Sequence, residues 1–364
     1  MHRRLFLGGI LAVTTACQRR GLAGDAQAGF QFPAPDLPSG YPSRLHVEDA
    51  RIVDAAGQTR VFHGVAVPDV LWIYVRNDAG IGFFDERLFH TAYEWHADIL
   101  RLSVSPALFR RHGAEVLLKA LDAAVGFARK YGQYLIINFH TIGFPPEGRY
   151  RSLVDWSYGE LYRTDDAEIA AFWTAVAQHF RDEPVVAFYE LVNEPVRILA
   201  DGQFDYDDGE TSWLLWRDYA ERLIDTLRVY DPDKPVIVGG LEFAYDLSHA
   251  VDSPVRRGNV VYATHPYAGA NWKRDWTSAF LAAAAVVPVF ATEFGWGDAH
   301  PEASDRGPGL YRDTILAAFD GAGISWTAWS MSHTFPPSLL AKPDFSTTTE
   351  YGAVVRKALG RYAK

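Results

Sequence analysis

The feature that most constrains this chain is an alternation. Eight short apolar runs, at residues 61–65, 99–103, 134–139, 185–191, 236–238, 260–263, 287–292 and 323–330, are mostly separated by longer stretches with helical spacing. Within residues 114–130, Val116, Leu117, Ala120, Leu121, Ala124, Phe127 and Ala128 recur on one face of a 3.6-residue period, and residues 165–181 and 212–230 behave alike. Continuous apolar runs are strands covered on both faces, and the amphipathic stretches are their covers. Strands joined in this way lie parallel, with right-handed crossovers. Eight such units favour an α/β fold closed into a (β/α)8 TIM barrel over an open sheet. Ahead of the barrel, residues 46–54 and 58–65 predict an N-terminal β-hairpin turned at Ala55-Ala56-Gly57. No repeat or second composition block interrupts residues 46–364, so they read as one domain, expected to be monomeric.

The first residues carry an address. Met1-His2-Arg3-Arg4, an apolar run over residues 5–13 and the small residues Thr14-Thr15-Ala16 before Cys17 have the layout of a secretory signal over residues 1–17. The apolar run is too short to span a bilayer. Arg3-Arg4-Leu5-Phe6-Leu7 resembles the bacterial twin-arginine export signal. Thr14-Thr15-Ala16-Cys17 resembles a lipoprotein processing box, with Thr14 where such boxes usually carry Leu, and this makes Cys17 a candidate lipid-attachment residue. The expected location is therefore outside the cytoplasm: the bacterial cell envelope, as a periplasmic or surface lipoprotein with membrane attachment through Cys17, or the medium. Residues 18–45, with four prolines and no apolar period, read as a flexible tether.

Composition narrows the partners. With 45 acidic against 35 basic side chains, the formal charge is −10, which argues against nucleic acid as a partner. A single cysteine excludes an intramolecular disulfide and a thiolate zinc cluster. No G-x-G-x-x-G follows a strand, so the dinucleotide fingerprint is missing. The 11 Trp, 18 Tyr and 22 Phe suit a ligand with flat apolar faces.

In a (β/α)8 barrel, chemistry sits where strands end. Here the strand ends carry polar groups: Arg101 in the second run, then Asn138 and His140, Asn193-Glu194-Pro195, His265-Pro266-Tyr267, Thr292-Glu293-Phe294-Gly295 and Trp329-Ser330. Glu194 and Glu293 are far apart in sequence, yet strands four and seven close across one mouth. Cleavage of a glycosidic bond needs two carboxyl groups, one kept protonated for the leaving oxygen and one ionised to attack or to activate water.

These residues resemble the cellulase-type family 5 glycoside hydrolases, a (β/α)8 family with catalytic glutamates after strands four and seven. The likeness extends over the whole mature barrel, including the opening Arg51-Ile52-Val53-Asp54 and Phe62-His63-Gly64-Val65. It implies a retaining mechanism with Glu194 as acid/base, Glu293 as nucleophile and carboxyl groups about 5–5.5 Å apart. It further implies that Asn193 bonds the sugar 2-hydroxyl and that Arg101 and Tyr267 hold Glu293. By the same resemblance His265 sets the protonation of Glu194, His140 binds sugar hydroxyls and Trp329 lies under a sugar ring. The implied substrate is an oligo- or polysaccharide with β-linkages, cut by an endo-β-1,4-glucanase. A β-mannanase or an exo-acting β-glucosidase is the alternative. Neither cofactor nor metal is expected. Two rivals compete with it. A metallohydrolase lacks H-x-H after strand one, where only His63 stands, and lacks H-E-x-x-H anywhere. A non-catalytic glycan-binding lipoprotein has no need of both carboxylates. The long loops over 141–163 and 197–211 are expected to wall the cleft, and Trp156, Tyr158, Trp272, Trp276, Trp296 and Trp326 are the remaining candidates for sugar subsites.

Overall fold

The computed structural model describes residues 32–70, 86–205, 209–268, 274–297 and 311–363. Cys17, the export signal and Trp272 lie outside the described residues. Eight parallel strands close into a barrel in chain order: His63–Val67, Ile99–Val104, Tyr134–Phe139, Val186–Glu190, Val236–Gly239, Val260–Ala263, Val289–Ala291 and Ser325–Ala328. All eight coincide with or overlap the apolar runs. The eighth pairs with the first through Trp326 and His63, Thr327 and Gly64, and Ala328 and Val65, which completes the ring.

Each strand has two buried faces. Outward residues such as Leu100, Leu102, Leu135, Ile137, Val236, Val238 and Trp326 pack under the helices. The helical spacing read from residues 114–130 belongs to the helix Pro106–Lys130, bent at Gly113, which buries Leu117, Ala120, Leu121, Ala124, Val125 and Ala128. Two further covers are Asp166–Phe180, whose first turn is capped by the Asp165 carboxylate accepting Glu168 N–H at 2.8 Å, and Glu210–Arg228. Inward residues split by height. Phe62, Ile99, Tyr134, Ile136, Phe188, Ile237, Val261 and Phe290 fill the lower barrel, and Leu45 and Ile52 of the hairpin plug its floor. Above them the inward positions turn polar.

The hairpin is present with a different turn. Leu45–Glu48 pairs with Arg51–Asp54 and reverses at Asp49, which takes a positive φ of 54°. The predicted turn at Ala55–Gly57 also forms, held by the Asp54 carboxylate accepting the N–H groups of Ala56 and Gln58 at 3.0 Å, but it leads only to a single Val53–Thr59 bridge. The predicted tether is bound to the barrel from Phe32 onward. The Phe32 carbonyl accepts from Lys130 Nζ, and Pro38 lies against Gly132. The Tyr41 hydroxyl donates to the Gln133 carbonyl at 2.7 Å. A free tether over 18–45 is therefore corrected for its last fourteen residues, where the half-buried rings of Phe32 and Tyr41 pack against His90 and Tyr134 and offset part of the ordering cost.

Candidate active site

The polar tier sits at the C-terminal ends of the strands and is centred on Arg101. Register sets it up: Ser103, Asn138 and Glu190 are partners across strands two, three and four, one row above Arg101 and Ile136. Arg101 is wholly buried, and its guanidinium spends every side on a partner. Nε and Nη2 donate to Glu190 at 2.5 and 3.1 Å, Nη1 donates to Glu293 Oε1 at 2.6 Å, and Nη2 also donates to Asn193 Oδ1 at 2.7 Å. Because arginine can only donate, Asn193 must face it with its oxygen, which leaves Nδ2 as the group for a ligand.

Glu293 follows the seventh strand, and its neighbours are tied. Thr327 Oγ1 donates to the Thr292 carbonyl, and Trp329 N–H and the Tyr351 hydroxyl both donate to the Phe294 carbonyl. Its second oxygen accepts from the Tyr267 hydroxyl at 2.6 Å. Burial, and then the Glu293 charge, push the Tyr267 hydroxyl well above its ordinary value, so it remains a donor.

Glu194 stands on an extension of the barrel pairing. Asn193 N–H donates to the Phe139 carbonyl and Glu194 N–H to the Thr141 carbonyl, and Glu194–Pro195 runs beside Ile142–Phe144 in a small sheet completed by Arg149–Tyr150. The start of the loop after strand three thus lies against the backbone that carries Glu194. Glu194 is the more open carboxylate, with 13% of its side chain exposed against 5% for Glu293.

His265 joins the two halves. Its Nδ1–H donates to Glu194 Oε1 at 3.1 Å and lies 3.9 Å from Glu293 Oε2; its Nε2–H donates to Thr292 Oγ1 at 2.9 Å, which in turn donates to Glu190 at 2.8 Å. Burial alone would lower its pKa, but Glu293, Glu190 and Glu194 together raise it to about 9, an imidazolium at neutral pH. Burial works against Glu190 too, yet Arg101 and His265 hold it at about 2. His140 goes the other way: burial lowers it to about 4. It is neutral, its Nδ1–H donates to Asn138 Oδ1 at 2.9 Å, and its ring lies parallel to that of Trp329 at 5.6 Å between centroids.

All eight residues expected at the site therefore meet in one bowl. Glu194, His265 and Glu293 each bring an atom within 4.8 Å of the others. That spacing resembles a metal triad, but Glu293 already serves Arg101 and Tyr267, His265 serves Glu194 and Thr292, and a guanidinium beside Glu293 opposes a second cation. Three residues of the bowl had been given no role: Glu190, Thr292 and Tyr162, whose ring stands 6.2 Å from that of His140. For Glu190 the available signal was parity, since it ends a strand on the same face as Asn138. Of the other aromatics, Trp326 and Trp296 are core, Trp276 packs on Phe280 and Tyr311, and Tyr158 lies against His112. Trp156 is 87% exposed at the tip of the hairpin formed by Val154–Asp155 and Gly159–Glu160.

A closed barrel whose fourth and seventh strands each deliver a glutamate to one rim defines the paired-carboxylate glycosidase class of (β/α)8 enzymes. The chain belongs to the cellulase family, glycosyl hydrolase family 5, which it matches over residues 53–334. Endoglucanase CelA of Streptomyces lividans is 27% identical over 348 residues, or 90% of this chain, and endoglucanase A of Butyrivibrio fibrisolvens is 24% identical over 324 residues, or 87%. The chain spans 66% of the length of each. Among solved structures, the β-glucanase SdGluc5_26A of Saccharophagus degradans superposes with a TM-score of 0.77 and 28% identity, covering 93% of this chain and 99% of that one. Its complex with cellotetraose gives 0.76 over 94% and 100%. The catalytic domain of endoglucanase Cel5A from Thermobifida fusca, 22% identical over 87% of this chain and 97% of that one, shares the fold at a TM-score of 0.66.

Proposed function

We propose that this chain is a retaining endo-β-1,4-glucanase. The observation that carries the reading is the pair of carboxylates at one rim, with oxygens inside 4.8 Å, one held by a guanidinium and a phenol and the other by an imidazolium. Carboxyl groups that approach this closely suit double displacement better than inversion, whose carboxyls stand about 6.5–9.5 Å apart. Glu293, fixed at both oxygens by donors, attacks the anomeric carbon. Glu194, more open and able to exchange a proton, protonates the departing oxygen and then takes a proton from the water that releases the glycosyl-enzyme. Asn193 Nδ2 meets the sugar 2-hydroxyl, His140 offers Nε2 to a hydroxyl, and Trp329 lies beneath the ring.

The glucan preference is supported by relatives named as endoglucanases and by the cellotetraose held by the β-glucanase of S. degradans. A product profile on soluble glucans and mannans tests it. Internal cuts in β-1,4-glucan, with short oligomers appearing early, are expected; a mannan preference, or release of glucose alone, rejects the specificity. On residues 1–17 we also place the enzyme outside the cytoplasm, attached through Cys17. Cys17→Ala is expected to move it from the membrane fraction to the soluble one.

A further inference from the structure

The fifth strand ends at Gly239, and the chain then makes a tight loop through Glu242 (φ 52°, ψ 58°), Phe243 (φ 61°, ψ 45°) and Ala244 (φ 63°). All three are left-handed and none is glycine. A Cβ crowds the following carbonyl in this region, so L-residues visit it singly and seldom. Glycine would adopt it freely. Side chains kept at such positions indicate surroundings that over-determine the backbone, and segments of this kind gather at functional sites.

The surroundings are specific. Leu241 N–H donates to the Asp246 carbonyl and Asp246 N–H to the Leu241 carbonyl, closing the loop at 3.0 and 2.9 Å. Phe243 meets Phe204, in the loop after strand four, edge to face at 4.8 Å. At the root of the loop, a Cβ on Gly239 would stand 3.0 Å from the Pro195 ring, so the backbone there lies directly against the residue after Glu194. At its far end, the Ala244 carbonyl accepts the His265 backbone N–H at 3.1 Å, and the Tyr245 carbonyl accepts the Thr264 hydroxyl at 3.0 Å. The loop is wedged between the backbone that carries Glu194 and the backbone that carries His265, whose side chains meet at 3.1 Å.

The geometry points to the left-handed turn over 242–244 as the spacer that sets the Glu194–His265 contact, with Phe243 and Ala244 as positioning residues for proton transfer to the leaving group. This rests on the glycosidase reading and adds a role outside the bowl itself. Phe243 pins the turn through Phe204, and the left-handed path aims the Ala244 carbonyl at His265. A relaxed loop loosens the acid/base pair while leaving Glu293, on the opposite side, in place.

The test compares Phe243→Gly, which removes the pin and the strain, with Ala244→Gly, which relieves one strained position and keeps every ring. Both are assayed for kcat and KM on cellotetraose and on a 2,4-dinitrophenyl β-cellobioside, with thermal melting alongside. Phe243→Gly should lower kcat on cellotetraose by about tenfold or more, yet change the rate of the initial dinitrophenol burst, which reports bond cleavage alone, by less than about twofold, because that leaving group needs no proton. Phe243→Tyr should restore the cellotetraose rate. Ala244→Gly should shift the ratio of the two rates in the same direction, and it decides alone if Phe243→Gly does not fold. An unchanged ratio in both variants, a loss confined to KM, or equal losses on both substrates overturns the spacer role. Absence of hydrolysis of either substrate by the parent chain overturns the glycosidase reading instead.

Discussion

Replacing Arg101 with methionine keeps the stem and removes the guanidinium from beneath the bowl, and the structure gives two routes to the cost. Nitrogen-to-oxygen contacts of 2.5 and 2.6 Å join the guanidinium to Glu190 and Glu293. With charge centres about 4 Å apart and an effective dielectric of about 20, each attraction is worth about 4 kcal/mol before desolvation. Burial offsets much of this, and breaking such a pair from one side leaves a loss of about 3–5 kcal/mol. The second route is the carboxyl of Glu190, which burial alone would raise but which Arg101 and His265 together hold at about 2 against the usual 4.5. A displacement of that size corresponds to about 3 kcal/mol, shared between the two cations. The sign follows from linkage: a lowered carboxyl contributes stability above its unfolded value, and the contribution fades as pH falls through the folded one. Without Arg101 only His265 and the Thr292 hydroxyl oppose burial, so the Glu190 carboxyl rises and binds a proton at higher pH than in the parent. The stability gap between parent and Arg101→Met should then widen from pH 5 to pH 8. Denaturant melts at both pH values measure it. A gap below about 1 kcal/mol at pH 8, or one that does not change with pH, would refute the reasoning.

Glu194→Ala should slow hydrolysis of a natural glycan by about 10²–10⁴-fold and spare bond cleavage in a dinitrophenyl glycoside; equal damage to both, by stopped-flow absorbance, would reverse the assignment of the two glutamates. His265 is raised to about 9, so its favourable charge is fully present below the ordinary histidine value and disappears as pH climbs through 9. Melting temperature should therefore decline on that alkaline side, and His265→Gln should flatten the decline. Gly352 lies so close to Leu339 that a Cβ would stand 1.9 Å from its carbonyl oxygen. Gly352→Ala should destabilise the chain by about 1–3 kcal/mol in a thermal melt and leave the pH profile of activity unchanged.

The barrel was legible because parallel strands, buried on both faces, write themselves as unbroken apolar runs, and because helices such as Asp166–Phe180 carry a cap and one apolar face. The bowl was legible because chemistry collects at strand ends, where Asn193, Glu194, His265 and Glu293 each follow such a run. Glu190 was harder to read. It is the last residue of its strand, and its pairing with Arg101 depends on register from strand two through strand three to strand four, which no single stretch of sequence states. The hairpin turn was misplaced because Gly57 advertises a positive φ, whereas Asp49 adopts one with no comparable mark. In the segment before the barrel the prolines outweighed Phe32 and Tyr41, two rings that the folded chain buries in part. The small sheet of Ile142–Phe144, Arg149–Tyr150 and Glu194–Pro195 consists of two- and three-residue strands, too short for a period to show.

The central claim is that Glu194 and Glu293 act from opposite faces of one sugar linkage. It is tested most directly by the anomeric configuration of the product that Glu293→Ala forms from a 2,4-dinitrophenyl β-glycoside in the presence of azide, read by proton NMR. The account predicts that azide restores turnover and that the product is the α-glycosyl azide, since the anion enters from the face that the missing carboxylate occupied. A β-glycosyl azide, or full hydrolytic activity without azide, would contradict it.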